Sequence, residues 1–169
     1  MQSTVRFGLM SGFLSTLFLS ILYIVDKKWM VGPFHQLFYG ILLIAMVWGA
    51  FRERTLLGGY IDQKSALRAA FVVYLIGSAM VAAYDFLMPA FFDPGLVELA
   101  KVEELGYLEQ NKGQYSTDKY LLLKREIENR QGGPAFFNSV FLYFFFTIPG
   151  FVAAGIISFL VKKTKVERA

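Results

Sequence analysis

The chain predicts an all-α integral membrane protein: four transmembrane helices in an antiparallel bundle, with an amphipathic helical hairpin between spans three and four. Three observations predict it. Phe7–Val25 runs without a charge and is followed by Asp26-Lys27-Lys28-Trp29. Comparable apolar runs recur at 34–51, 69–92 and 135–161. The composition is 56% hydrophobic and 18% charged, against about 45–50% and about 25% in soluble domains. The whole chain, 1–169, reads as a single membrane domain.

Each span follows from local signals. Span one covers roughly 28 Å at 1.5 Å per residue, about one hydrocarbon core. Its apolar run is long for a signal peptide, and charged residues follow it where a small-residue cleavage site would stand. Span two enters through Gly32-Pro33 and leaves at Arg52-Glu53-Arg54, so the short link 26–33 makes a hairpin with span one. Span three is preceded by a helix start at Asp62 and carries one charge, Asp85. Span four closes at Lys162-Lys163-Thr164-Lys165 and exceeds one crossing, so tilt or a protruding end is expected. Pro149 should kink it, because proline cannot donate to the Phe145 carbonyl.

The segment 93–134 is the only substantial extramembrane part. Asp93-Pro94 reads as a cap followed by proline at the first helical position. Leu96, Leu99, Val102, Leu105 and Leu108 recur every third residue among Glu98, Lys101, Glu103, Glu104 and Glu109, an amphipathic pattern. Asn111-Lys112-Gly113 breaks it. Ser116 or Thr117 starts a second helix through Tyr120, Leu121, Leu123, Lys124 and Ile127, ended by Gly132-Gly133-Pro134. This hairpin would rest on the bilayer, cap the bundle, or dock a partner.

Four spans put both termini on one side. That side carries Arg6, Arg52, Arg54, Lys64, Arg68, Lys162, Lys163, Lys165 and Arg168 against Glu53, Asp62 and Glu167. The tail and the Arg52–Arg54 cluster abut the membrane, where the positive-inside rule counts basic residues. Both termini are therefore expected in the cytoplasm and the loop 93–134 in the periplasm. The net charge of +4 belongs to these span ends and argues for lipid headgroups, with no nucleic-acid partner expected.

Two groups of residues attract attention. Gly8, Gly12 and Thr16 form a small-residue stripe along span one, echoed by Gly150, Ala154 and Ser158 in span four. Small residues let helix backbones approach closely in lipid. The stripe is either packing within the bundle or a contact for a homo-oligomer or another subunit. Asp85 is the second. A charge within a span faces a bundle interior, water or a partner. Pro89 leaves the Asp85 carbonyl without its helical donor. His35 and Asn138 lie near the same outer span ends, which suggests an intramembrane polar cluster of His35, Asp85 and Asn138. The alternative is a wet interfacial Asp85 neutralised by Lys27 or Lys28.

The chain has no cysteine and one histidine, His35, so thiolate chemistry is excluded and a zinc site or histidine relay has almost no material. No Walker A, H-E-x-x-H or Rossmann glycine pattern is present, and Gly8-Leu9-Met10-Ser11-Gly12 has the wrong spacing for a nucleophile elbow. Glu98, Glu103, Glu104, Glu126 and Glu128 read as solvated helix faces. No catalytic residue, metal site or cofactor is expected, and a lipid-modifying enzyme lacks an acid, base and nucleophile set.

Several segments together resemble a known family: Arg6-Phe7-Gly8-Leu9-Met10-Ser11-Gly12-Phe13 opening span one, Asp62–Ala69 entering span three, the exit Phe92-Asp93-Pro94-Gly95-Leu96, and the ending Ile156-Ile157-Ser158-Phe159-Leu160-Val161-Lys162-Lys163. Their order and spacing resemble a Bacteroidota family of four-span inner-membrane proteins of unknown function. The resemblance covers nearly the whole chain and implies a bacterial cytoplasmic membrane and no assigned reaction. The leading expectation is a non-catalytic accessory or scaffold subunit of a membrane complex, contacting a protein partner through the 93–134 loop or the span-one stripe. The alternative is a small transporter or proton-coupled component using Asp85.

Overall fold

The computed structural model describes residues 2–129 and 136–163, with side chains at 3–129 and 143–163. Its helices are α1 (Gln2–Val25), α2 (Lys27–Val31), α3 (Phe38–Leu56), α4 (Gln63–Leu87), α5 (Gly95–Gln110), α6 (Thr117–Glu128) and α7 (Phe136–Val161). A 3₁₀ turn over Pro33–Leu37 leads into α3, and a π turn over Met88–Phe92 extends α4. Four helical stretches are long and apolar enough to cross a bilayer: Ser3–Val25, Pro33–Leu56, Gln63–Phe92 and Tyr143–Val161. Their outward faces carry large exposed apolar side chains such as Phe13, Ile44, Phe144, Phe151 and Leu160. In water these would be costly; in lipid they are matched.

The helices run further than the apolar stretches do. α1 begins at Gln2, and α3 continues through Arg52, Glu53 and Arg54 to Leu56. α4 starts at Gln63, capped by Asp62, whose carboxylate accepts from the Ser65 amide at 2.5 Å. Hydropathy marks where lipid ends, while capping and backbone hydrogen bonds mark where a helix ends. The link 26–33 contains the short α2, started by the Asp26 carboxylate on the Lys28 amide at 2.9 Å. The segment Gly132-Gly133-Pro134 lies outside the described residues.

α4 is the centre of the bundle and packs against α1, α3 and α7. It can do so because small residues let neighbours come close. A Cβ built on Gly8 would lie 2.8 Å from Ile76 Cβ, and one on Gly12 2.5 Å from Met80 Sδ. At Gly77 it would meet Leu42 Cδ2 at 2.6 Å, and at Gly49 Val73 Cγ2 at 2.8 Å. α7 docks the same way: Gly150 faces the Tyr74 ring, where a Cβ would come within 2.1 Å of Cε1. The Tyr74 hydroxyl then donates to the Phe146 carbonyl at 2.8 Å. That contact lies one turn before Gly150, in the stretch where Pro149 interrupts the helical ladder. Tyr143 returns the contact, donating to the Leu75 carbonyl at 3.0 Å.

One end of the bundle gathers the N-terminus, the link after α3 and the end of α7. Ser3 Oγ donates to Glu53 Oε2 at 2.8 Å. Gly58 and Gly59 turn the chain at φ 75° and 88°, a left-handed conformation that favours glycine. Ile61 and Lys163 exchange backbone hydrogen bonds at 3.0 and 2.9 Å, and Arg54 Nη1 donates to the Val161 carbonyl at 3.3 Å.

The opposite end carries α2, α5 and α6. The three-residue repeat of α5 does not stay on one face. Leu96 is buried in the main core, whereas Leu108 is buried with Tyr120 and Ile127 of α6 in a separate small core. Val102 between them is 62% exposed. A spacing of three precesses by roughly 60° per step around a helix of 3.6 residues per turn. The stripe therefore serves two partners in succession.

Gly150→Ala is expected to destabilise the protein by about 1–3 kcal/mol, the range for overpacking a well-filled contact. Its thermal unfolding in mild detergent should fall by several degrees, while Gly155→Ala, which has open space around it, should not. Equal midpoints for both variants would refute the docking described for α7.

Candidate functional site: a polar cavity at the hairpin end

Two helix irregularities build the site. Gly32-Pro33 stops α2 and starts the tight 3₁₀ turn that carries His35 ahead of α3. On α4, Pro89 has no amide to offer the Asp85 carbonyl. The helix widens into the π turn, and the Asp93 amide reaches back to the Met88 carbonyl at 2.8 Å. Such π turns are frequent at functional sites. Asp85 thus occupies the last regular part of α4, roughly 10 Å inside the end of the span at 1.5 Å per residue.

His35 Nε2 stands 3.0 Å from Asp85 Oδ1. Which of the two atoms donates follows from the imidazole tautomer. The pair is half-buried on the wall of a cavity of about 450 Å³ between α3, α4 and α7, lined among others by Phe38, Tyr39, Tyr74, Ser78, Tyr143 and Phe146. Most hydroxyls on this wall are already engaged. Tyr74 and Tyr143 donate to backbone carbonyls, and Ser78 donates to the Tyr74 carbonyl at 2.7 Å. The Tyr39 hydroxyl has no hydrogen-bond partner among the described residues. Behind Asp85, Ser20 Oγ lies 3.1 Å from the Tyr84 hydroxyl, tying α1 to the same region of α4. The arrangement can accept hydrogen bonds, hold a proton between His35 and Asp85, and attract positive charge. Among the described residues its lining contains one acid and one histidine, and no Lys or Arg.

The family described as "Protein of unknown function (DUF4199)" matches residues 6–163. The chain belongs to the DUF4199 family. The match takes in nearly all of the first span, the other three, the α5–α6 hairpin and every described residue of the cavity lining. No curated protein and no solved structure matches the chain.

Gly8 and Gly12 face Ile76 and Met80 of α4. Thr16 sits at the margin of that face, donating to the Phe13 carbonyl at 3.0 Å, while Ser11 and Ser15 are buried at its centre. Ser15 Oγ is the single buried side-chain polar atom without a partner among the described residues. Ala154 and Ser158 are fully buried in α7, and Ser158 donates to the Gly155 carbonyl at 2.7 Å. Asn138 lies in the first turn of α7, and its side chain is outside the described residues. Among the described residues, no group of three or more His, Cys, Asp or Glu side chains is gathered for a metal ion.

Lys27 and Lys28 do not neutralise Asp85. Lys27 Nζ lies 2.6 Å from Asp93 Oδ2, and Lys28 Nζ lies 3.9 Å from Glu103 Oε1. The Tyr23 hydroxyl donates to the same Asp93 oxygen at 3.0 Å, and Asp93 Oδ1 accepts from the Gly95 amide at 3.1 Å. One carboxylate therefore fastens the end of α1 to the start of α5. Sequence reading found Asp93 only as a local cap. It also passed over the lining tyrosines, whose signal was an amphipathic ring in mid-span that must place its hydroxyl somewhere.

The Lys27 ammonium, then the Tyr23 hydroxyl, hold the Asp93 carboxyl below its ordinary range, and the hydrogen bond to Asp93 raises Lys27. A lowered acid stabilises above its unfolded value and loses that effect as pH falls through the folded one; a raised lysine loses its effect as pH rises through its own. The fastening of this DUF4199 protein should hold across neutral pH and fail at acid pH. Asp93→Asn at neutral pH should speed amide hydrogen exchange in the first turns of α5 without changing α4. Wild-type exchange there should approach the variant's as pH falls below the carboxylate range. An unchanged α5 in Asp93→Asn would refute the fastening.

Proposed function

We propose that this DUF4199 protein works in a bacterial cytoplasmic membrane, and that its working part is the His35–Asp85 cavity, the binding site of a small transport or proton-linked component. The observation that carries this reading is the 3.0 Å His35–Asp85 contact inside a spanning region, on the wall of a cavity of about 450 Å³. Ionisable residues at such depth are costly and are characteristic of ion, proton or substrate paths. That Tyr74, Tyr143 and Ser78 are committed to backbone carbonyls supports binding over reaction.

Both termini are assigned to the cytoplasm and the α5–α6 hairpin to the periplasm. Arg52, Arg54, Lys162 and Lys163 cluster at the end shared by the termini, and the positive-inside rule weights such span-end residues. The cysteine-free sequence gives a clean test. In intact cells, Gln110→Cys should react with a membrane-impermeant maleimide and Gln63→Cys should not. The reverse pattern would overturn the orientation.

A second reading, an accessory subunit, is favoured by a different observation. The small-residue face of α1 is occupied by α4, which leaves the hairpin for a partner. Val102, Tyr107, Leu121 and Leu122 are exposed there.

Complementation separates the two. Asp85→Asn should reach the membrane at wild-type level and fail to restore a deletion strain. Full restoration by Asp85→Asn, with a stoichiometric protein retained in mild detergent, would favour the accessory reading.

A further inference from the structure

We propose that the His35–Asp85 cavity binds a monovalent ammonium group, carried by a free small amine or by a lipid headgroup. The inference rests on the reading of this cavity as a ligand site and names the chemistry of its ligand. Three observations converge on it. Among the described residues, Asp85 is the one carboxylate of the lining and is only half used: His35 meets Oδ1, and Oδ2 has no hydrogen-bond partner. The remaining wall is largely aromatic, with Phe38, Tyr39, Tyr74, Tyr143 and Phe146. Among the described residues, neither Lys nor Arg contributes to it.

These features discriminate between ligand classes. A phosphate or carboxylate would sit beside Asp85 with no Lys or Arg among the described residues to hold it. A hard divalent ion needs about six oxygen ligands, whereas the described lining offers one carboxylate and mostly ring carbon. An ammonium group is matched by one carboxylate and a set of ring faces, because aromatic quadrupoles attract cations. The cavity volume, about 450 Å³, falls in the range of about 300–1,000 Å³ typical of small-molecule sites.

His35 is the single histidine and so a unique reporter. Full-length protein, labelled with ¹⁵N-histidine and free of a polyhistidine tag, is placed in nanodiscs of pure phosphatidylglycerol, which has no amine. It is titrated with choline, with ethanolamine, and with 3,3-dimethylbutan-1-ol, the neutral isostere of choline. Choline or ethanolamine should shift the His35 ring nitrogens saturably, and the neutral alcohol should bind at least about tenfold more weakly, the scale of a desolvated cation–π and carboxylate contact. Doping phosphatidylethanolamine into the nanodiscs distinguishes the sources. A shift without free amine marks a headgroup ligand; a shift only with free amine marks a solute. Asp85→Asn should abolish the response, and Tyr39→Leu, which keeps the carboxylate, should weaken it severalfold.

An equal response to the neutral alcohol, or none to either ammonium compound or to the doped lipid, overturns the inference. If that happens while Asp85→Asn still fails to complement, the ammonium assignment falls and the cavity reading stands. If Asp85→Asn complements fully, the cavity reading itself falls.

Discussion

The bundle depends on how closely other backbones can approach α4. Between helices in lipid there is no hydrophobic force, so association rests on van der Waals contact and hydrogen bonds at short range. α4 meets this constraint on three sides. Gly8 and Gly12 bring α1 against Ile76 and Met80, Gly49 brings α3 against Val73, and Gly150 lets α7 close on the Tyr74 ring. The Ala66, Ala69 and Ala70 surface and Gly77 on α4 itself complete the match. Filling any of these gaps would bring a Cβ within 3 Å of an opposing side chain, so that side chain or the helix carrying it must shift.

The same packing creates the cavity. Tyr74 and Tyr143, both on the cavity wall, tie α4 to α7 through backbone carbonyls. The 3₁₀ turn at Pro33–Leu37 and the π turn at Met88–Phe92 both interrupt regular helix there. Irregular backbone in a span is tolerated where it lines a polar space or is buried in protein. His35 and Asp85 occupy that space. Two polar side chains are tolerated there because each satisfies the other and both retain contact with the cavity.

Beyond the cavity, the hairpin is fastened and independent at once. Asp93 accepts from Lys27, Tyr23 and the Gly95 amide, which fixes where α5 begins. Further along, α5 turns its apolar stripe away from the bundle and toward α6, building a second core around Leu108, Tyr120 and Ile127. The exposed position of Val102 follows from that change of partner.

By itself the sequence determined the number of spans, the hairpin between the third and fourth, and most helix starts. Those are local matters: uncharged length, the caps at Asp62 and Ser116, and breaks at glycine and proline. It also placed His35 and Asp85 near one end of the bundle, since span order and length decide depth. What it could not contain was azimuth. Whether the stripe of α1 faces its own chain or another, whether Ser15 or Thr16 sits at its centre, and which side chains meet Asp85 all depend on the rotation of each helix about its axis. An all-apolar helix has little hydrophobic asymmetry to set that rotation. Only the tertiary structure decided it, through close contacts such as Gly12 on Met80 and Gly150 on Tyr74. The Tyr23–Lys27–Asp93 fastening was likewise invisible, because it joins groups distant in sequence that only the folded hairpin brings within hydrogen-bond reach.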